Sequence, residues 1–260
     1  GAILFTLIIF TAFFITIRAL LNQKKLSEIK SDFINNMTHE FKTPLATISL
    51  AVDALKNEKV INDKTKIEYF TRIIKDENKR MNKQVETILQ AALSENQEVQ
   101  LNEKSVHANQ LIQAALNNIE LPIKEKNGTI EVNLNATNDC ILADEVHFTN
   151  IINNLLDNAV KYSGENLHIK LTTSNFNHQL RIKIEDNGIG MNKETLQRIF
   201  EKFYRAHTGN IHNVKGFGLG LSYVKSIVDA HKGKIKAEST LGKGSCFIIE
   251  LPTLSREKTV

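Results

Sequence analysis

Apolar and polar positions divide the chain into three stretches of different texture. Residues 2–17, AILFTLIIFTAFFITI, carry no charge, no proline and no glycine. Sixteen such residues fall just short of the ~20 that a helix needs to cross a bilayer core. A buried soluble helix and the core of a signal peptide are the alternatives. A signal peptide, however, carries its positive charges ahead of the apolar run, whereas Arg18, Lys24 and Lys25 follow it here. The chain begins at Gly1 rather than Met. The expectation is therefore a transmembrane helix fragment cut at its outer end, with residues 18–260 cytoplasmic by the positive-inside rule.

Residues 22–56 read as one long helix, because Leu26, Ile29, Phe33, Met37, Ile48, Val52 and Leu55 recur at helical spacing. At 100° per residue they share a stripe about 100° wide. Residues 57–63 break the pattern, and a second helix over roughly 64–98 carries Ile67, Phe70, Ile74, Met81, Val85, Ile88 and Leu89. Two long helices around a short loop make a helical hairpin. A lone hairpin buries little apolar area, so pairing into a dimeric four-helix bundle completes it.

From about residue 104 the period changes. A helical stretch at Asn109–Leu116 precedes strand patterns at Thr129–Leu134, His168–Thr173, Leu180–Glu185, Lys234–Glu238 and Ser245–Leu251. Helical patterns fall at Asp144–Tyr162, Lys193–Phe200 and Leu219–His231. This predicts a mixed α/β domain of about 150 residues, followed by a polar, loose tail. The organisation expected is 1–17 membrane fragment, 18–30 juxtamembrane linker, 31–100 dimerisation hairpin, 104–253 α/β domain and 254–260 tail. The linker is too short for a separate relay domain, so motion of the membrane helix is expected to pass directly into the bundle.

Composition changes this picture in three places. A net charge of +4 is too mild for a nucleic-acid polyanion as direct partner. Two cysteines rule out a disulfide framework and a cysteine-based zinc site. A mean hydropathy of −0.22 resembles a soluble protein only because it averages one apolar segment with a lysine-rich body.

Two groups of residues carry candidate chemistry. The first is His39-Glu-Phe-Lys-Thr-Pro-Leu45. With Ile29 at 0°, the apolar stripe centres near 100° and His39 falls at about 280°, into solvent. Pro44 should bend the helix beside it. A neighbouring carboxylate, Glu40, can hold one ring nitrogen protonated and leave the other as nucleophile. Thr43 lies one turn on, on the same face, where its hydroxyl could position a water.

The second group combines asparagines and glycines. In the helix from 144, Asn150, Asn154, Asn158 and Lys161 form a narrow stripe opposite an apolar face. Amide oxygens ligate Mg²⁺ without repelling phosphates, and lysine pairs with phosphate. An ordinary surface stripe is the competing explanation, since the chain holds 27 asparagines. Nine of twelve glycines fall between 188 and 244, seven of them in Asp186-Asn-Gly-Ile-Gly190, Gly216-Phe-Gly-Leu-Gly220 and Gly242-Lys-Gly244. Glycines at strand ends and helix starts let backbone N–H groups cradle phosphates. No Walker or dinucleotide fingerprint is present. Lys202–Lys215 is a long polar stretch without period, and such loops often act as lids.

Together these motifs resemble the cytoplasmic core of a membrane-bound sensor histidine kinase of a two-component system, over about residues 18–253. The stretch at His39 resembles the H box and Asn154–Tyr162 the N box. Asp186–Gly190 resembles G1, Ile199–Tyr204 the F box, Gly216–Gly220 G2, and Gly242–Phe247 the terminal glycine motif. Phe41, where many members carry Leu or Ile, is a mild departure. The resemblance implies an α+β multidomain chain. An antiparallel hairpin would form a dimeric four-helix bundle, followed by a Bergerat-type α/β sandwich that binds ATP. It implies that His39 is the phosphoacceptor, Glu40 its general base and Thr43 the residue that orients water in dephosphorylating a response regulator's receiver domain. It places Mg²⁺ on Asn158 with Asn154 beside it, phosphate on Lys161, and the adenine against Tyr162 and Asp186. Gly188 and Gly190 would give the nucleotide room. Lys202 and Arg205 would supply lid cations, and Gly218, Leu219 and Gly220 backbone amides. The location implied is the cytoplasmic membrane of a bacterium. An ATPase of this superfamily without phosphotransfer and an inactive membrane-tethered scaffold are the alternatives.

Overall fold

The computed structural model describes residues 1–93, 100–205 and 217–254. The chain divides into two compact units, Gly1–Gln84 and Val85–Val260.

The first unit is helical. Helix α1 (Ala2–Leu55) runs through Pro44 without interruption. It thus spans the expected membrane fragment, linker and first hairpin helix as one continuous element. No glycine or proline occurs between Ala2 and Thr43 to end it. Its N-terminal part is long and apolar enough to cross a membrane, by length and composition. Threonines in that part satisfy their hydroxyls within the helix, Thr11 on the Leu7 carbonyl at 2.7 Å and Thr16 on that of Ala12 at 2.8 Å. The predicted break at 57–63 holds a short helix, α2 (Glu58–Ile61), whose N-cap Asn57 accepts from the Lys59 amide. Helix α3 (Lys64–Leu93) follows. Asp63 caps it, accepting from the Thr65 and Lys66 amides. Residues 94–98 of the predicted second helix lie outside the described residues.

Of the predicted apolar stripe on α1, Ile29, Phe33, Met37, Ile48 and Leu55 are half-buried and Val52 is exposed, while its neighbour Ala51, outside the predicted set, is buried. Ile34, Leu45 and Leu50 are also exposed in the single chain.

The second unit is an α/β sandwich. Its elements in order are β1 (Lys104–His107), α4 (Ala108–Asn117), α5 (Glu120–Glu125), β2 (Thr129–Leu134), β3 (Cys140–Ala143), α6 (Glu145–Tyr162), β4 (His168–Phe176), β5 (Gln179–Asp186), α7 (Lys193–Arg198), α8 (Gly220–Ala230), β6 (Lys234–Thr240) and β7 (Gly244–Pro252). Five strands form one sheet in the order β2-β4-β5-β7-β6, with β2 and β4 parallel and the other pairs antiparallel. Strands β1 and β3 pair separately. Buried and half-buried residues alternate along β4 and β5, as in a sheet with one covered face. The buried core joins that face to the helices through Phe148, Ile152, Leu156, Ile182, Val224 and Ile249.

The four-residue strands β1 and β3 and the short helix α5 escape the sequence patterns. Helix α4 also starts on a distant cap. Asp139 accepts from the Asn109 amide with one oxygen and bonds His107 with the other.

Candidate active site

His39 and its neighbours lie on α1 in the first unit. His39 and Thr43 are exposed and Glu40 is half-buried. Pro44, which is buried, has no N–H to offer the Glu40 carbonyl four residues back. The helix ladder is thus open beside the imidazole, although the helix continues.

In the second unit α6 carries the predicted stripe. Asp144 caps the helix, accepting from the Val146 and His147 amides at 3.0 and 3.1 Å and from the Asn102 amide at 3.0 Å. Further along, the Asn154 amide nitrogen donates to the Asn150 carbonyl at 2.8 Å. Its oxygen lies 2.9 Å from where a Cβ on Gly220 would stand. Asn158 is half-buried. The Lys161 ammonium lies 5.1 Å from the centroid of the Tyr162 ring. Burial pushes the Tyr162 phenol up, against a smaller opposing pull from the Arg205 charge, which brings Arg205 into the same neighbourhood.

Strand β5 delivers Asp186. Its Oδ1 accepts from the Gly188 amide at 2.8 Å and the Ser245 amide at 3.2 Å. Burial raises the carboxyl above its ordinary value, more than these two amides lower it. A Cβ on Gly188 would stand 2.7 Å from the Tyr162 carbonyl, 2.8 Å from Asp186 Oδ1 and 2.9 Å from Ser163 Oγ. That last hydroxyl is buried and has no partner among the described residues. Sequence reasoning missed Ser163, since a serine following a helix carries no signal of its own.

The glycines differ in what they face. Gly190, at φ +63°, would drive a Cβ to 2.0 Å from the Thr240 carbonyl, and Gly244, at φ +102°, to 1.9 Å from that of Asp186. Both allow backbone to meet backbone, so Gly190 has a packing role beside the ligand role expected of it. Gly218, at φ +70°, lies against Phe203 and Tyr204, whose carbonyl would be 2.8 Å from a Cβ. This brings the F-box residues to the start of α8, with Lys202 and Arg205 half-buried nearby in sequence. Leu219 is the N-cap of α8 and offers no side-chain oxygen. The first amides of α8 are thus left to a ligand or solvent. Residues 206–216, which hold Gly216 and most of the predicted lid, lie outside the described residues.

The donor set fits a nucleotide. A half-buried acceptor and an orphaned hydroxyl beside a glycine suit the edge of a base bearing an amino group. Uncapped helix amides suit phosphate oxygens. The amide oxygens of Asn154 and Asn158 suit Mg²⁺, a hard cation that takes its remaining ligands from phosphate and water. No cluster of three His, Cys, Asp or Glu occurs among the described residues.

The chain is similar to several known proteins. Residues 143–255 match the family of histidine kinase-, DNA gyrase B- and HSP90-like ATPases, and residues 29–97 match the His Kinase A phospho-acceptor domain. Sensor protein RprX of Bacteroides fragilis is 49% identical over 258 residues, 98% of this chain and 50% of that protein. Sensor protein SrrB of Staphylococcus aureus is 30% identical over 243 residues, 92% of this chain and 40% of that protein. The chain thus spans about half the length of the curated relatives it matches, or less. Full-length ShkA, solved in complex with AMPPNP, superposes with a TM-score of 0.64 at 25% identity, over 84% of this chain and 44% of that one.

Proposed function

The chain belongs to the sensor histidine kinases, and from that premise we propose that it phosphorylates His39 with Mg-ATP and passes the phosphoryl group to an aspartate of a response regulator. The observation that carries this reading is the grouping of polar residues and glycines along α6 in the second unit. Asp186 and Ser163 meet there beside Gly188, and uncapped α8 amides stand next to Asn154 on α6.

Asp186 takes the amino edge of adenine and Tyr162 flanks the ring. The amides at Gly218, Leu219 and Gly220, with Lys161, Lys202 and Arg205, hold the phosphates. Mg²⁺, held by Asn158 beside Asn154, supplies charge neutralisation. Phosphoryl transfer needs positioning and such neutralisation more than covalent help. The lone pair of one His39 nitrogen forms the new P–N bond. The bond from the γ-phosphorus to the bridging oxygen breaks, and its electrons leave on ADP. The proton on the other ring nitrogen passes to Glu40. Thr43 orients the water that later dephosphorylates the regulator. The exposed Ile34, Leu45 and Leu50 of the hairpin support a homodimer, and the apolar start of α1 supports anchoring in a bacterial cytoplasmic membrane.

The test is incubation of the full chain with γ-labelled ATP. The expected product is a phosphoprotein, acid-labile and alkali-stable, that is absent in His39→Gln. Label persisting in that variant refutes the role of His39. ATP hydrolysis with no phosphoprotein at all favours a plain ATPase.

A further inference from the structure

The polar stripe of α6 divides into two halves with different partners. The half at Asn158 and Lys161 leads to Tyr162 and Ser163, which lie against Gly188. The half at His147 and Asn150 faces α8, where Tyr223 is 7% exposed. A hydrogen bond of 2.8 Å joins His147 Nδ1 to the Tyr223 hydroxyl, and the Asn150 side chain acts on the same hydroxyl. Tyr223 stands one turn into α8, and its amide closes that turn on the Leu219 carbonyl at 2.9 Å. At the far end of α8, buried His231 accepts from the Asp144 amide at 3.0 Å and bonds the Ile227 carbonyl. Beyond Tyr223, at the very start of α8, Gly220 abuts Asn154. The two helices thus run antiparallel, tied by hydrogen bonds at the far end of α8 and one turn in from its start.

We propose that Tyr223 and His147 are positioning residues. Their hydrogen bond fixes the first turn of α8, with its phosphate-facing amides, at a set distance from Asn154 and Asn158. A buried phenol needs a partner for its hydroxyl, but a phenylalanine would fill the same space without one. The polar pair therefore supplies alignment beyond packing. It lies apart from the Asp186 end of the site, so it governs the phosphate end of the ligand and leaves the base end alone.

This inference rests on the nucleotide reading of the site, and its test separates the two. Full chain in detergent is titrated with ATP and, in parallel, with adenosine. Tyr223→Phe is expected to weaken ATP about three- to tenfold, the range of one hydrogen bond, and to leave adenosine within twofold. His147→Ala should do the same, the double variant should be no worse than either single one, and His147→Asn, whose amide can occupy the place of Nδ1, should restore ATP affinity. Equal weakening of both ligands would mark a general loosening of the fold and overturn the proposal, as would no change in either. Wild-type chain that binds adenosine but gains nothing from the triphosphate overturns the nucleotide reading, and the clamp with it.

Discussion

Asp186→Asn separates two effects that the carboxylate combines. Oδ1 is already committed to the Gly188 and Ser245 amides. An asparagine must keep its oxygen there, since its nitrogen cannot accept from them. Its NH₂ group then points where the second carboxylate oxygen stood, toward the amino edge of adenine. An acceptor becomes a donor facing a donor. A hydrogen bond to a charged group is worth about 1.5–3 kcal/mol, so ATP affinity should fall about 10- to 150-fold. The same NH₂ matches the carbonyl of guanine, so the ratio of ATP to GTP affinity should fall further. Stability should move the other way. Burial raises the Asp186 carboxyl. A carboxyl raised in the folded state favours folding only while it is protonated, and that contribution is lost as pH rises through the folded value. At neutral pH the nucleotide-free variant should therefore unfold no lower than wild type, and its advantage should shrink as pH falls into the carboxylate range. Titration of the full chain with ATP and GTP, with thermal unfolding from pH 4 to 8, reads both arms. ATP affinity within threefold of wild type refutes the assignment of Asp186. An advantage over wild type that is smaller at pH 8 than at pH 4 refutes the reasoning on its charge.

Further outcomes follow from the same geometry. Gly244→Ala places a Cβ 1.9 Å from the Asp186 carbonyl at φ +102°, and should lose about 3–5 kcal/mol. Gly242→Ala meets nothing within 4 Å at φ +79° and should lose only about 1–2 kcal/mol; calorimetry comparing the two checks the order. Thr43→Ala should leave the rate of His39 labelling within about twofold while slowing loss of label from the phosphorylated regulator at least tenfold, seen in a two-protein time course. Inserting one alanine after Gln23 rotates everything upstream of the His39 segment by ~100°, whereas seven residues return it to within ~20°. The single insertion should change autophosphorylation in membranes and the seven-residue insertion should restore it. Equal activity in all three proteins counts against coupling through α1.

How far the sequence anticipates the structure depends on the range of the interaction that decides each element. Helix α6 was legible because its apolar face, its cap Asp144 and its end at Tyr162 are all local. Strands β4 and β5 were legible from alternation. Strands β1 and β3 were not, because each is four residues long and they pair across more than thirty intervening residues. The continuity of α1 was obscured by the change from apolar to polar texture near Arg18, which marks a change of surroundings and not of backbone. At the site, the stripe of Asn150, Asn154, Asn158 and Lys161 could be read from helical period. That its N-terminal half packs on α8 could not, since the deciding partner, Tyr223, lies 76 residues from His147.

The glycine cluster shows why composition alone misassigns roles in such a site. A phosphate cradle and a close backbone crossing both require a residue without Cβ, so both leave the same mark in the sequence. Here the crossing at Gly244 serves the ligand indirectly. Because Gly244 lets β7 press against the Asp186 carbonyl, the next amide, that of Ser245, reaches the carboxylate. Gly190 and the Gly242 amide, which donates to the Ile189 carbonyl at 2.7 Å, lock the β6–β7 turn onto the same loop. On the proposed role of Asp186, the terminal glycine motif would act on nucleotide selection by orienting that carboxylate, without needing to touch the nucleotide. Substitutions there should disturb base discrimination and stability together, whereas those at Gly218 and Gly220 should disturb the phosphate end.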